Sequence, residues 1–295
     1  MKDFLDIFKV YLTDEKKSSS NTVEAYMRDL NQFVLYCASV GLKDLSKADS
    51  GLLQRYMEYL SVIGKSASTK TRIIASLRCY YRYLLNNGIC SANPLDKIKF
   101  KKTEKKLPDV LDSNEIVLLL AQPDSAEYKG IRDKAMLELL YATGIKVSEL
   151  IELKVSDVNL QIGILHLHND KKERIIPIYP AAIKSVADYL VNVRPVIVPE
   201  EDEDRLFTNM TGQHLSRQGF WKIIKHYAET AGIKKDITPH TLRHSFAAHL
   251  LENGAKLSDI KEMLGHSDIS STQVYAKLMK SKYTSAYAKY HPLAK

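Results

Sequence analysis

The chain has 295 residues, 45% of them hydrophobic, which suits about two domains, each with a buried core. Its net charge of +8 and isoelectric point near 9.1 favour an anionic partner and say nothing of fold. Three cysteines without a Cys-x-x-Cys argue against a disulfide framework or a zinc site, and no apolar run of ~18 residues or leader pattern signals membrane insertion or export, so a reducing cytoplasm is expected.

The first hundred residues read as helices. Leu5, Phe8 and Leu12 share one face. Asn21, with Glu24 three residues on, predicts the start of a second helix striped by Tyr26, Leu30, Phe33 and Cys37. A third helix is expected over about Leu52 to Val62. A fourth follows Ser68, with Ile74, Leu77, Tyr81 and Leu84 inward and Lys70, Arg72, Arg78 and Arg82 on the opposite face. From Lys65 to Lys106 there are 11 Lys/Arg against 2 acids, a net +9 over 42 residues. A charge run is usually a solvated face, but here Tyr80, Tyr81 and Tyr83 interleave it, which favours nucleic acid. Asn87-Gly88 and Asn93-Pro94 close this region, and 97–109, which includes Lys101 and Lys102, reads as a basic linker.

Asp112 with Glu115 opens the second helical run. Ala135, Met136, Leu139 and Leu140 stripe the next helix, which stops at Gly144. Two strands are predicted over Gly163–His168 and Arg174–Tyr179, joined by Asn169-Asp-Lys-Lys. The pattern is then helical again, apart from an extended piece at Leu206-Phe207-Thr208.

The densest chemistry lies near the C-terminus. Thr238 reads as an N-cap and Pro239 as the first helical residue, so His240 falls in a first turn that favours an anion. Arg243, three residues on, shares its face and offers a planar fork to two oxygens. Alone, a His-x-x-Arg is most often packing plus a salt bridge. Here Gly265 ends the following helix and leaves His266 at its exit, and Tyr275 lies nine residues beyond. An imidazole, a guanidinium, a second imidazole and a phenol are the groups with which a protein nucleophile attacks a phosphodiester.

Four segments together resemble the tyrosine recombinase (phage integrase) family, closest to its Xer type. They are Tyr141-Ala-Thr-Gly-Ile-Lys-Val-Ser-Glu-Leu, His240-Thr-Leu-Arg-His-Ser-Phe-Ala, Leu264-Gly-His-Ser and Ser271-Thr-Gln-Val-Tyr. Ser20-Asn-Thr-Val-Glu-Ala-Tyr, Asn93-Pro and Lys106-Leu-Pro extend the likeness to the family's N-terminal half. The resemblance implies a mainly α fold. Residues 1–98 would form a helical core-binding domain, 99–110 a basic linker and 111–295 a mixed, mostly α catalytic domain, the whole forming a C-shaped clamp on double-stranded DNA. It implies that Tyr275 attacks the scissile phosphate to give a 3′-phosphotyrosyl bond, that His240 shuttles protons, and that Arg243 and His266 bind the phosphate, without metal or cofactor. The basic helix after Ser68 would enter the major groove and the linker cross the backbone. The tail from Lys280 to Tyr290 would dock into a neighbouring protomer of a tetramer on two DNA sites. The likeness carries no extra N-terminal arm-binding domain, which points to a resolver of DNA circles or a simple mobile-element recombinase.

The chain departs from the family twice. Lys146 stands where the family has its first catalytic arginine, keeping the charge but losing the bidentate fork. Asn169 stands where it has the hairpin lysine that protonates the leaving oxygen; Lys171 or Lys172, in the same turn, is the available replacement. Slower cleavage than in a typical member is therefore expected. The competing readings are a catalytically weak DNA-binding relative and a relaxing type IB topoisomerase.

Overall fold

The structure is a computed structural model that describes residues 2–96, 98, 107–169, 172–198, 203–266, 268–278 and 284. The chain divides into two compact units, Met1–Lys105 and Lys106–Lys295.

Local capping sets the helices of the first unit: α1 (Lys2–Val10), α2 (Ser20–Ser39), α3 (Ser50–Val62) and α4 (Ala67–Asn86). The side chains of Ser19, Asp49 and Ser66 accept the N–H groups of Thr22, Leu52 and Thr69. The cap of α2 is thus Ser19, not Asn21: Ser19 holds the extended backbone a cap needs, and Asn21 is already helical. Leu5, Phe8, Leu12, Leu30, Phe33, Tyr56 and Leu77 meet in one core. On α4 the buried stripe runs through Ile73, Leu77, Tyr80, Tyr81 and Leu84, and Ile74 is only half-buried. The stripe keeps Leu77, Tyr81 and Leu84 and widens to Tyr80, whose ring packs edge-on against Phe8 at 5.2 Å, while the Tyr81 hydroxyl donates to the Leu45 carbonyl at 3.0 Å. Tyr80, Tyr81 and Tyr83 are all core residues, Tyr81 as its place on the apolar stripe predicts, so their interleaving with the basic run lends no support to nucleic acid.

The second unit starts with α5 (Ser113–Ala121), closed by the expected capping box: the Asp112 carboxylate accepts the Glu115 N–H at 2.9 Å and the Glu115 carboxylate accepts the Asp112 N–H at 2.8 Å. The central helix α6 (Tyr128–Thr143) is buried on nearly every side and ends on Gly144. After the single turn α7 (Val147–Leu150), three antiparallel strands follow in the order β1 (Val158–Asn159), β2 (Ile164–Asn169), β3 (Lys172–Pro177). The short β1 adds to the two strands the sequence predicts. β3 starts two residues early because its pairing continues to Asn169↔Lys172. Leu165, Leu167, Arg174 and Ile176 face inward; His168, Glu173 and Ile175 face out. The rest comprises α8 (Pro180–Asp188), α9 (Arg194–Ile197), α10 (Arg217–Thr230), α11 (Pro239–Glu252) and α12 (Leu257–Leu264). A 3₁₀ turn, Ile269–Ser271, then leads to a helix over 273–278. The extended piece near 206–208 pairs at Thr208↔His214. Met136, Leu140, Leu165, Tyr189 and Phe220 lie in the main core, while Phe246, Ala247, Ile260, Leu264 and Tyr275 form a second, smaller one.

Candidate active site

Thr238 caps α11 as its sequence predicts: its hydroxyl accepts the Thr241 N–H and Pro239 follows. His240 stands in the first turn, exposed, and Arg243 one turn further, only 4% exposed. One Arg243 Nη donates to the Gly144 carbonyl and the other to the Leu264 carbonyl, each at 2.7 Å. These carbonyls sit where α6 and α12 end, and both helices end on a left-handed glycine, Gly144 at φ 60° and Gly265 at φ 64°. Each glycine is also needed for space: a Cβ on Gly144 would lie 2.3 Å from the Phe246 ring, and one on Gly265 2.7 Å from the Arg174 guanidinium. Arg243 thus ties together the two chain reversals that carry Lys146 and His266.

His266 is half-buried, its Nδ1 3.0 Å from the Thr272 hydroxyl. The N–H of Tyr275 donates to the Thr272 carbonyl at 3.1 Å, so one residue positions both His266 and the helix bearing Tyr275. The phenol of Tyr275 is 1% exposed and its hydroxyl lies 2.9 Å from Nδ1 of His244. His240 and His244 are neighbours on one helix face, their ring centres 6.3 Å apart. Lys146 is exposed, and its backbone N–H donates to Glu149 Oε2 at 2.7 Å. The same oxygen accepts Arg174 Nη2 at 2.7 Å, while Arg174 Nε donates to the Met263 carbonyl at 3.0 Å.

The site therefore gathers His240, Arg243, His266, Lys146 and Tyr275 from three helix ends and one following helix. Sequence reasoning missed His244, Arg174, Glu149 and Thr272. Two had a signal: His244 is four residues from His240, hence on its face, and strand alternation puts Arg174 on the buried side with Ile176. Lys171 lies outside the described residues, as do the side chains of Asn169 and Lys172, so the choice of a substitute lysine stays an expectation.

The phage integrase family matches residues 109–282, and the phage integrase N-terminal SAM-like domain matches residues 5–88. The chain belongs to the phage integrase family. It is 42% identical over 295 residues to the tyrosine recombinase XerD of Staphylococcus epidermidis and 44% identical over 297 residues to that of Listeria innocua, covering the whole of both chains in each case. Among solved structures it resembles the XerH site-specific recombinase bound to palindromic difH substrate in a post-cleavage complex. There the TM-score is 0.76 at 24% identity, covering 92% of this chain and 81% of that one. It also resembles the XerA recombinase, with a TM-score of 0.55 at 26% identity over 99% and 98% of the two chains.

In this family member the surroundings of His240, His244 and His266 favour the uncharged imidazole. Burial, then the nearby charge of Arg243 and Lys146, lowers His240 and pulls His266 down to about 4. Burial, then His240 and Arg243, brings His244 to about 4. Burial raises the Tyr275 phenol. The cluster thus holds the cations of Arg243, Lys146 and Arg174 against the carboxylate of Glu149, a balance that an entering phosphate improves.

The candidate DNA-contacting residues separate. Arg78 and Arg82 are exposed on α4. Arg72 instead donates to buried Asp29 at 2.6 Å, which also accepts from Ser76, so it crosslinks α4 to α2. Lys70 donates to the Ser61 hydroxyl at 3.0 Å. Lys101 and Lys102 lie outside the described residues. On the outer face of the hairpin, opposite Arg174, His166, His168 and Glu173 have ligand atoms within 4.8 Å of one another, a spacing that can hold a metal ion. No helix among the described residues is long and apolar enough to cross a membrane.

Proposed function

We propose that this chain is a Xer-type site-specific DNA recombinase that cuts and rejoins double-stranded DNA through a phosphotyrosyl bond, acting in the cytoplasm with further protomers, as a tetramer on two sites, and without metal or energy cofactor. The observation that carries this reading is Arg243, buried between the carbonyls of Gly144 and Leu264, with His240, His266 and Tyr275 around it.

The roles follow from the chemistry. Two of the five guanidinium N–H groups of Arg243 are committed to carbonyls, which fixes the plane in which others meet non-bridging phosphate oxygens. His266, oriented by Thr272, hydrogen-bonds the same phosphate. His240, in the first turn of α11 and open to solvent, moves protons. Lys146 adds charge next to His240 and His266. Tyr275 Oη attacks phosphorus, and the ester keeps the energy of the broken bond for rejoining. Arg78 and Arg82 on α4 and Lys101 and Lys102 of the linker supply sequence-independent phosphate contacts. Arg72 serves the helical core before it serves DNA.

A suicide substrate nicked beside the cleavage point tests this. The expected result is a protein–DNA adduct whose peptide maps to Tyr275, absent in Tyr275→Phe. Adduct formation that survives Tyr275→Phe, or none in the unmodified chain, sinks the reading.

A further inference from the structure

Covalent attack by a phenol needs a group that takes the phenolic proton. The residues assigned so far have roles at the phosphate, and among the described hydrogen bonds none of them reaches the Tyr275 hydroxyl. One side chain does: Nδ1 of His244 lies 2.9 Å from Oη, within the range of a strong hydrogen bond. The contact is built from both sides. Residue 244 is held on α11 between Arg243, anchored at both ends of its fork, and Ser245, whose hydroxyl donates to the Thr241 carbonyl at 2.8 Å. The Tyr275 ring packs with Phe246, Ile260 and Leu264.

Resting on the recombinase reading, we infer that His244 takes the phenolic proton of Tyr275 during strand cleavage and returns it during rejoining. In the step, the Oη–P bond forms and the P–O5′ bond breaks. The phenolic proton passes to Nδ1 of His244, and the 5′-oxygen leaves as a hydroxyl with a proton relayed through His240 from solvent water, whose hydroxide stays in the bulk solvent and takes a proton back through His240 on rejoining. Rejoining runs the same transfers backwards. His244 is thus a catalytic residue in contact with the reacting atom.

The surroundings make the transfer depend on DNA. His244 is faced by His240 and Arg243 of its own helix, by Tyr275 and by His266, and burial with these neighbours makes it a weak base. Off DNA, a raised phenol beside a depressed imidazole keeps its proton, so the nucleophile stays neutral. A phosphate entering beside Arg243 offsets the cationic field and raises the basicity of His244 as the substrate arrives.

The test is single-turnover cleavage of the nicked substrate by the full chain and by His244→Gln, whose amide oxygen can accept the phenol but takes no proton near neutral pH. The variant is expected to keep DNA affinity and cleave about 10²-fold more slowly or worse. Its rate should climb steadily with pH as hydroxide removes the phenolic proton, whereas the unmodified chain should level off. Added imidazole should restore part of the rate to His244→Ala. If His244→Gln fails to fold, nitrogen NMR of the unmodified chain decides: the inference requires an unprotonated Nδ1 whose resonance moves in Tyr275→Phe. Cleavage by His244→Gln within about threefold of the unmodified rate, an unchanged pH profile, or a proton on Nδ1 overturns the assignment. Those outcomes leave the recombinase reading intact, whereas an unmodified chain that forms no adduct removes both.

Discussion

At the scale of single residues, the proposed site turns on Lys146, where the resemblance implies an arginine. The residue follows the reversal at Gly144 whose carbonyl Arg243 holds, so its backbone is as fixed as an arginine there would need. What it lacks is the fork. A lysine presents a compact charge that stabilises a growing negative charge, but it does not grip two oxygens in a plane. Lys146→Arg is therefore expected to speed single-turnover cleavage about tenfold or more, since one preorganised donor at a transition state is worth roughly 10²–10³. An equal or lower rate would mean that the surrounding residues are fitted to lysine. The same scale explains why His244 escaped notice: spacing puts it on the His240 face, but 31 residues separate it from Tyr275.

At the scale of elements, the site is an assembly of helix ends. α6 and α12 each stop on a left-handed glycine, and each stop delivers a carbonyl to Arg243 and a candidate site residue, Lys146 or His266, one or two residues later. Gly144→Ala brings a Cβ to 2.3 Å from the Phe246 ring at a φ of 60°. It is expected to destabilise the chain by about 1–3 kcal/mol and to slow cleavage as well, because the Gly144 carbonyl moves away from Arg243. Gly254→Ala is the control. It shares a positive φ but has nothing within 4 Å, so only backbone strain of about 1 kcal/mol applies and the site is untouched. Urea melts and cleavage rates of the two variants check this; equal losses in both would remove the steric argument. The hairpin joins the same assembly through Arg174, which spans the Met263 carbonyl and Glu149.

At the scale of the whole molecule, the lowered imidazoles make the DNA-free protein sensitive to acid. His244 and His266 have an ordinary value of 6.5 when unfolded and about 4 when folded. Below 6.5 the unfolded chain binds more protons, so their contribution is full above that value and is lost as pH falls toward 4. Urea midpoints are expected to drop between pH 6.5 and 5, and less so in His266→Gln; a flat midpoint over that window would refute the shifts. Much of this architecture was legible beforehand. The capping box at Asp112, the stop at Gly144, the cap at Thr238 and the one-face pair His240 and Arg243 depend on neighbours within a turn or two, and those interactions are written in local spacing. That local pattern also carried the family resemblance and with it the chemistry. On α4 it placed Leu77, Tyr81 and Leu84 inside, as they are, but not Tyr80 and Tyr83, and it gave the basic face Arg72, which turned to Asp29, 43 residues away. Only folding in three dimensions could decide such pairings. Which carbonyl an arginine holds and which hydroxyl a histidine meets are set by close packing between distant segments, and no periodicity along the chain encodes a contact between them.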